Sequence, residues 1–485
     1  MSWVSRTSVR LEKAGGSGKR EPARRPTRRL MLAAGLGLPA AGVVLAACGG
    51  TGSGQTAPAG GAAPAAGLQS GVTVSFFHGG TDPDGESREE ILKRFEQKYP
   101  GIKTEHLFTP DSTGAKLDAL ISAGTAPDVF YVGNGADVTT KAAKGVLYDL
   151  TPLAKRDKFD TSDFFDSAVA LYHICSKQYA YPIDFPNQEL YYNVDLFEQA
   201  GVKPPPGSWT DTSWTFDRFL DAAKRLTKEG APGGTQWGYI TGVTGFRNWW
   251  VWVAANGGEV FDKDLKTCTL DDPAAVEAFQ FLQDLIFKYR VLPNLDDAKA
   301  AGGNLNGFTG GRAAMSTLPP WLGQVRRDLK QRWDVAPHPR GNSSKARWAC
   351  AGGGTGLAMA SPAVGGKHIN EAWELLKFSE QPAQVETYIR AVGIVPPLKS
   401  VANSPAFADP SQPPKSIKVF VDGAQYLRPD PSIVRWDDIT RAINEELAHL
   451  WDNSQNARTV AGNIKRKVDS ILAEIQASGQ MACRS

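Results

Sequence analysis

The chain has 485 residues, 41% of them hydrophobic and 22% charged, with a formal net charge of +3. That composition belongs to a folded protein and excludes a disordered one, and the length exceeds what one compact core organises, so two or more domains are expected. The positive charge is local: residues 1–47 hold nine basic and two acidic residues, while the rest holds 45 basic against 49 acidic, a net of −4, which removes the electrostatic case for nucleic acid as a partner.

The N-terminus reads as an export signal. A basic stretch ends in Thr27-Arg28-Arg29, an apolar run continues from Leu30 to Ala47, and Leu45-Ala46-Ala47-Cys48 closes it. The twin arginine resembles a Tat signal. Leu-Ala-Ala-Cys resembles a bacterial lipobox, which implies a lipidated Cys48 as the mature N-terminus and an extracytoplasmic body anchored to the membrane. Gly49 to Gly67 is almost wholly Gly, Ala, Pro, Ser and Thr and cannot bury apolar surface, so residues 48–70 read as a tether. Cys175, Cys268, Cys350 and Cys483 lack CxxC spacing, so no metal site is expected. One or two disulfides remain open, and the pairing is not chosen by the sequence.

Along the body, Val72 to Phe77 is a β-rich run. Ser87 and Glu90 form a Ser-x-x-Glu pattern that predicts a helix start, with Asp82 to Gly85 as an acidic turn before it. Ile91, Leu92 and Phe95 continue at helical spacing until Pro100-Gly101. Ile102 to Phe108 predicts a strand, Lys116 to Ala123 a helix and Val129 to Val132 a strand, an alternation that predicts a largely parallel α/β sheet. Thr215 caps a helix carrying Phe216, Phe219, Leu220, Ala223 and Leu226. Asp272-Pro273 opens another. Gly356 to Ala360 is β-like after three glycines. Glu371 to Ser379, Trp436 to Trp451 and Val460 to Ile475 read as helices.

Several segments then line up in order: Lys116 through Tyr131 with its Ala-Pro-Asp, Tyr181-Pro-Ile, Leu190 through Gly201, Trp214 through Phe219, Asn256 through Phe261, Gly311 through Met315 and Ala336 through Gly341. With the lipobox, they make the chain resemble the family 1 extracellular solute-binding proteins of the maltose-binding type. The resemblance implies an α/β fold of the type II periplasmic-binding-protein class, with two lobes, a ligand cleft between them and hinge crossings. The first lobe would span 71–183 and 349–393, the second 186–345 and 396–485. The implied partners are a small-molecule ligand, most simply a carbohydrate, and ABC permease subunits, with the chain acting as a monomer and needing no cofactor.

Ligands of open α/β sheets sit beyond the carboxyl ends of strands. His78 follows the first strand, Asn134 the Val129–Val132 run, and Asp184, Asn187 and Gln188 the Tyr181-Pro-Ile segment. Planar amides and carboxylates suit sugar hydroxyls, and flat aromatic faces suit their C–H faces. Trp249 and Trp250 are candidates for the second role, as is Trp321, which lies where the resembling family often stacks a sugar. Arg247 could pair with an anionic ligand but reads first as a solvated surface residue. Where some members of that family carry an Asp-Arg pair, this chain has Gly135-Ala136, which argues against maltodextrin itself. Glycerol 3-phosphate, a polyol or a polyamine is the alternative ligand class. Gly-x-Ser-x-Gly, His-Glu-x-x-His and Walker motifs are absent, so the chain reads as no enzyme, although two carboxylates at glycosidase spacing are not excluded by sequence. A signalling module that kept the fold and lost transport is the remaining alternative.

Overall fold

A computed structural model describes residues 67–110 and 114–479. The export signal, Cys48, most of the tether and Cys483 lie outside the described residues. Among the described residues no helix is long and apolar enough to cross a membrane.

Ten strands carry the architecture: β1 (Val72–Gly80), β2 (Ile102–Pro110), β3 (Val129–Gly133), β4 (Ala180–Pro182), β5 (Glu189–Asn193), β6 (Met315–Leu318), β7 (Trp333–Ala336), β8 (Cys350–Gly352), β9 (Thr355–Met359) and β10 (Leu427–Pro429). The first sheet has the order β2-β1-β3-β9-β4. β1 runs parallel to β2, from Val72 opposite Ile102 to Gly80 opposite Pro110, and parallel to β3, with Phe76 opposite Val129. This is the parallel unit expected from the alternation of strands and helices. β9 departs from it, running antiparallel to both β3 and β4. The second sheet is three-stranded, in the order β6-β5-β7, and antiparallel throughout.

Two hydrophobic cores accompany the two sheets. The first gathers Val74, Phe76, Phe77, Val129, Phe130, Leu357 and Met359 from the strands, with Ile91, Leu92 and Phe95 from the helix Asp82–Lys98. Burying each such side chain contributes about 1.5–3 kcal/mol. The second gathers Leu190 and Met315 under the helices Phe216–Leu226, Phe246–Ala255, Pro273–Phe287, Trp436–Trp451 and Ala457–Ala477. The segment 396–424 contributes Val401, Phe407, Val419 and Phe420 to the first core.

The helix Asp82–Lys98 begins five residues before the Ser87 start read from the sequence. Its cap is Thr81, whose backbone N–H and hydroxyl both donate to the Asp84 carboxylate, at 2.9 and 2.7 Å. The acidic stretch is thus the first helical turn, where carboxylates suit the positive end of the helix dipole. Ser87 lies buried within the helix, its hydroxyl donating to the Asp84 carbonyl. Cys268 and Cys350 are free and buried, while Cys175 is disulfide-bonded, so the two-bridge alternative is excluded.

The chain passes between the sheets three times. Residues 183–188 link β4 to β5, residues 337–354 lead from β7 through β8 to β9, and the third passage runs through β10 towards Trp436. The passages touch: β8 and β10 pair in parallel, with Cys350 opposite Leu427, and Asn187 bridges to Gly352. Short strands laid side by side between two cores are the layout of a hinge.

Candidate functional site

Beside these crossings the two halves leave a gap of about 860 Å³. One wall is the end of β3 with the turn and helix after it: Gly133, Asn134, Ala136, Asp137, Thr140, Lys141 and Lys144. The other wall is Arg247 on the helix Phe246–Ala255, with Asp430, Val434, Arg435, Trp436, Asp437 and Asp438 after β10.

The β3 wall is built by a tight strand-to-helix turn. Gly135 adopts φ +58, and a Cβ there would lie 2.8 Å from the Asp430 carbonyl oxygen, so a residue without a side chain is required. The Asp137 carboxylate accepts the Gly133 backbone N–H at 2.7 Å and pairs with Lys141. Asn134 is therefore presented at the sheet's carboxyl edge. Its Oδ1 accepts from Arg247 Nη2 at 3.2 Å and from the Gly354 backbone N–H at 3.3 Å. Its Nδ2 is buried and has no hydrogen-bond partner among the described residues. At Gly353 any Cβ would collide with both the Arg247 guanidinium and Asn134 Oδ1, which accounts for the glycine run at this passage.

Arg247 corrects the sequence reading of a solvated surface residue. Its side chain is 33% exposed and that of Asp430 17%. Nε and Nη2 each donate to a different Asp430 oxygen, at 2.9 and 2.6 Å, the strong two-point form of the pair. Burial disfavours the charge, the Asp430 carboxylate more than offsets it, and the guanidinium stays protonated. Asp430 and Trp436 had no signal in their local sequence. Trp436 packs edge-on against Phe246, with ring centroids 4.9 Å apart, and lines the gap.

Of the sequence-named residues, Asn134 lies in the gap, and Asp184 lies just behind it. Asp184 is 2% exposed and accepts the Thr355 backbone N–H at 2.7 Å, and burial pushes its carboxyl up to about 7. Asn187 and Gln188 sit in the first crossing. Asn187 Nδ2 donates to Glu189 Oε1 at 2.7 Å and to the Phe420 carbonyl at 3.0 Å, which ties the first crossing to the helix Lys418–Asp422. Gln188 is 8% exposed, and its buried Oε1 has no partner among the described residues.

The others stand elsewhere. His78 is fully buried between Phe76, Phe108 and Tyr131, its Nε2 2.8 Å from Nε2 of His106, and burial with the nearby Arg88 and His106 holds it down to about 3. Trp249 and Trp250 lie in the second core, where Phe246 and Phe279 occupy their faces. The reason is the helix itself: residues 249–255 are apolar all round, the mark of a buried helix. Trp321 is 42% exposed and stands outside the gap lining, at the start of the helix Leu322–Asp328. Among the described residues no cluster of His, Cys, Asp and Glu has metal-binding geometry.

Residues 79–386 match the family of bacterial extracellular solute-binding proteins. A binding protein of Brucella abortus is 26% identical over 416 residues, which cover 83% of this chain and 92% of that protein. The diacetylchitobiose binding protein DasA of Streptomyces coelicolor is 26% identical over 383 residues, 75% of this chain and 81% of that protein. An ABC substrate-binding protein of Listeria monocytogenes, solved in complex with cycloalternan, shares the fold with a TM-score of 0.72 at 24% identity, over 83% of this chain and 99% of that one.

Proposed function

Because the chain belongs to the bacterial extracellular solute-binding protein family, we propose that it captures a neutral sugar or oligosaccharide in the gap between its two α/β halves and hands it, unaltered, to an ABC permease. The observation that carries this reading is the lining of the gap: the Asn134 amide, whose Nδ2 has no partner among the described residues, and a set of paired charges, with Trp436, 9% exposed, among the lining residues. Sugar hydroxyls satisfy such amides, and aromatic faces cover sugar C–H groups. A relative named for diacetylchitobiose supports the same ligand class. Trp321, exposed at the start of its helix, is the proposed second platform.

The anionic alternative, glycerol 3-phosphate, needs an unpaired cation. The gap carries five carboxylates (Asp118, Asp137, Asp430, Asp437, Asp438) against four cations (Lys141, Lys144, Arg247, Arg435). Three of the cations already have carboxylate partners: Lys141 with Asp137, Arg247 with Asp430 and Arg435 with Asp438. The fourth, Lys144, has no ion pair among the described residues but is exposed, so it stays hydrated rather than forming a desolvated anion site. This balance favours a neutral solute.

The family works outside the cytoplasm. The finer proposal is a lipid anchor on Cys48 after Tat export, with a monomeric body on its tether. Replacing Cys48 by Ala then releases the protein from membranes. For the ligand, a thermal-shift screen with neutral sugars, sugar phosphates and amines is the test, since a ligand of the native state raises Tm. Stabilisation by at least one neutral sugar is expected. Stabilisation by a phosphate ester or an amine alone overturns the ligand class.

A further inference from the structure

Arg247 is held from two directions. Asn134 approaches it from the end of β3 in the first sheet, and Asp430 from the end of β10. Asp430 is 183 positions away along the chain and is fixed between Pro429 and Pro431, whose rings restrict the backbone. The result is an arginine side chain two-thirds buried at the wall of the gap, with its planar fork filled by an internal carboxylate. That fork is the geometry in which an arginine takes a ligand carboxylate or phosphate. Asp430 stands where such a group would stand. Beside it Asn134 Nδ2, buried and without a partner among the described residues, offers a neutral donor suited to a hydroxyl oxygen.

Resting on the reading of the gap as the ligand cleft, we infer that Asp430 determines the charge class of the solute: by occupying Arg247 it excludes sugar phosphates and uronates and confines the cleft to neutral polyhydroxyl compounds. Without that carboxylate the protein carries a desolvated cation at the cleft wall, and an external anion takes the vacated place. The consequence is a gain of binding, which a merely structural ion pair would not give.

The test compares wild type, Asp430→Ala and the double variant Arg247→Met/Asp430→Ala. Each is melted with sodium formate, inorganic phosphate or sodium chloride at equal ionic strength. Formate and phosphate should raise the Tm of Asp430→Ala about 2–4 °C above its value in chloride. Wild type and the double variant should show no such difference. Should Asp430→Ala not fold, Asp430→Asn takes its place, and at least a tenfold tighter phosphate affinity than wild type is expected by calorimetry. Equal anion responses in wild type and the single variant overturn the inference. So does stabilisation of wild type by glucuronate as strong as by its best neutral sugar. The solute-capture reading fails differently: no neutral sugar then stabilises wild type, whatever anions do to the variant.

Discussion

Arg88 and Arg247 are both partly or wholly withdrawn from water, and they are solvated in opposite ways. Arg88, on the helix Asp82–Lys98, is 2% exposed. Among the described residues it has no carboxylate within ion-pair distance; its Nε donates to the Tyr131 hydroxyl at 2.5 Å and its guanidinium lies 4.1 Å from the centroid of the Tyr388 ring. Close by, burial pushes the Glu380 carboxyl well above its usual range, against the opposing pull of Arg88. Arg247 keeps a third of its surface and is met by one replaceable carboxylate at the wall of a gap. A charge closed in by aromatic rings can only hold structure. A charge with an open side and a single counter-ion can select what enters.

The largest effect should come from the closed site. Arg88→Ala leaves a cavity, an unpaired Tyr131 hydroxyl and a lone buried acid, and should cost about 3–5 kcal/mol in urea unfolding. The sugar affinity of the molecules still folded should be unchanged. Lost affinity at full stability would break the contrast between the two arginines.

Acid sharpens it next. His78, fully buried in the same region, takes a proton only near 3 when folded, against 6.5 as its ordinary value. The unfolded chain therefore binds the proton first, and stability falls as pH drops through that window, by about 3 kcal/mol at pH 4 for one such histidine. His338, likewise held down to about 3 by burial, adds a loss of the same sign. Asp184 acts oppositely, because its carboxyl at about 7 keeps a proton in the folded state that the unfolded chain has released, so its contribution to stability rises as pH falls towards 4. His78→Gln should flatten the acid limb of the urea midpoint measured from pH 7 to pH 4. An unchanged limb would mean that the ring is not kept neutral by its surroundings.

The open site should respond less in stability and more in binding. Arg247→Ala leaves Asp430 unpaired but partly hydrated, at about 1–3 kcal/mol, with sugar affinity at least tenfold weaker by calorimetry. Trp321→Ala should change stability by no more than about 0.5 kcal/mol, since the ring is exposed, yet weaken sugar binding tenfold, about 1.4 kcal/mol. Unchanged affinity removes Trp321 from the site.

How much was legible in the sequence depends on how local each signal is. The helix Trp436–Trp451 has the bounds read from the sequence, and β1, β2 and β3 stand where their β-rich runs lie. Asn134 was reachable because ligands of open sheets sit beyond strand ends. The start of the first helix was missed because Thr81 and Asp84 offer the same three-residue capping spacing as Ser87 and Glu90, and only packing, which buries Ser87, decides between them. The antiparallel course of β9 depends on a crossing some 20 residues long, which no local pattern encodes. The Arg247–Asp430 pair spans 183 positions and was invisible for the same reason. Trp249 and Trp250 drew attention as aromatics, while the apolar residues around them already marked a buried helix.

Hydrogen exchange read by mass spectrometry, with and without the sugar found by the thermal-shift screen, tests most directly whether the gap is where the solute binds. Protection should concentrate in residues 133–144, 245–250 and 430–438, the segments that form its two walls. Protection confined to other parts of the molecule, with these three segments exchanging as before, would contradict the account.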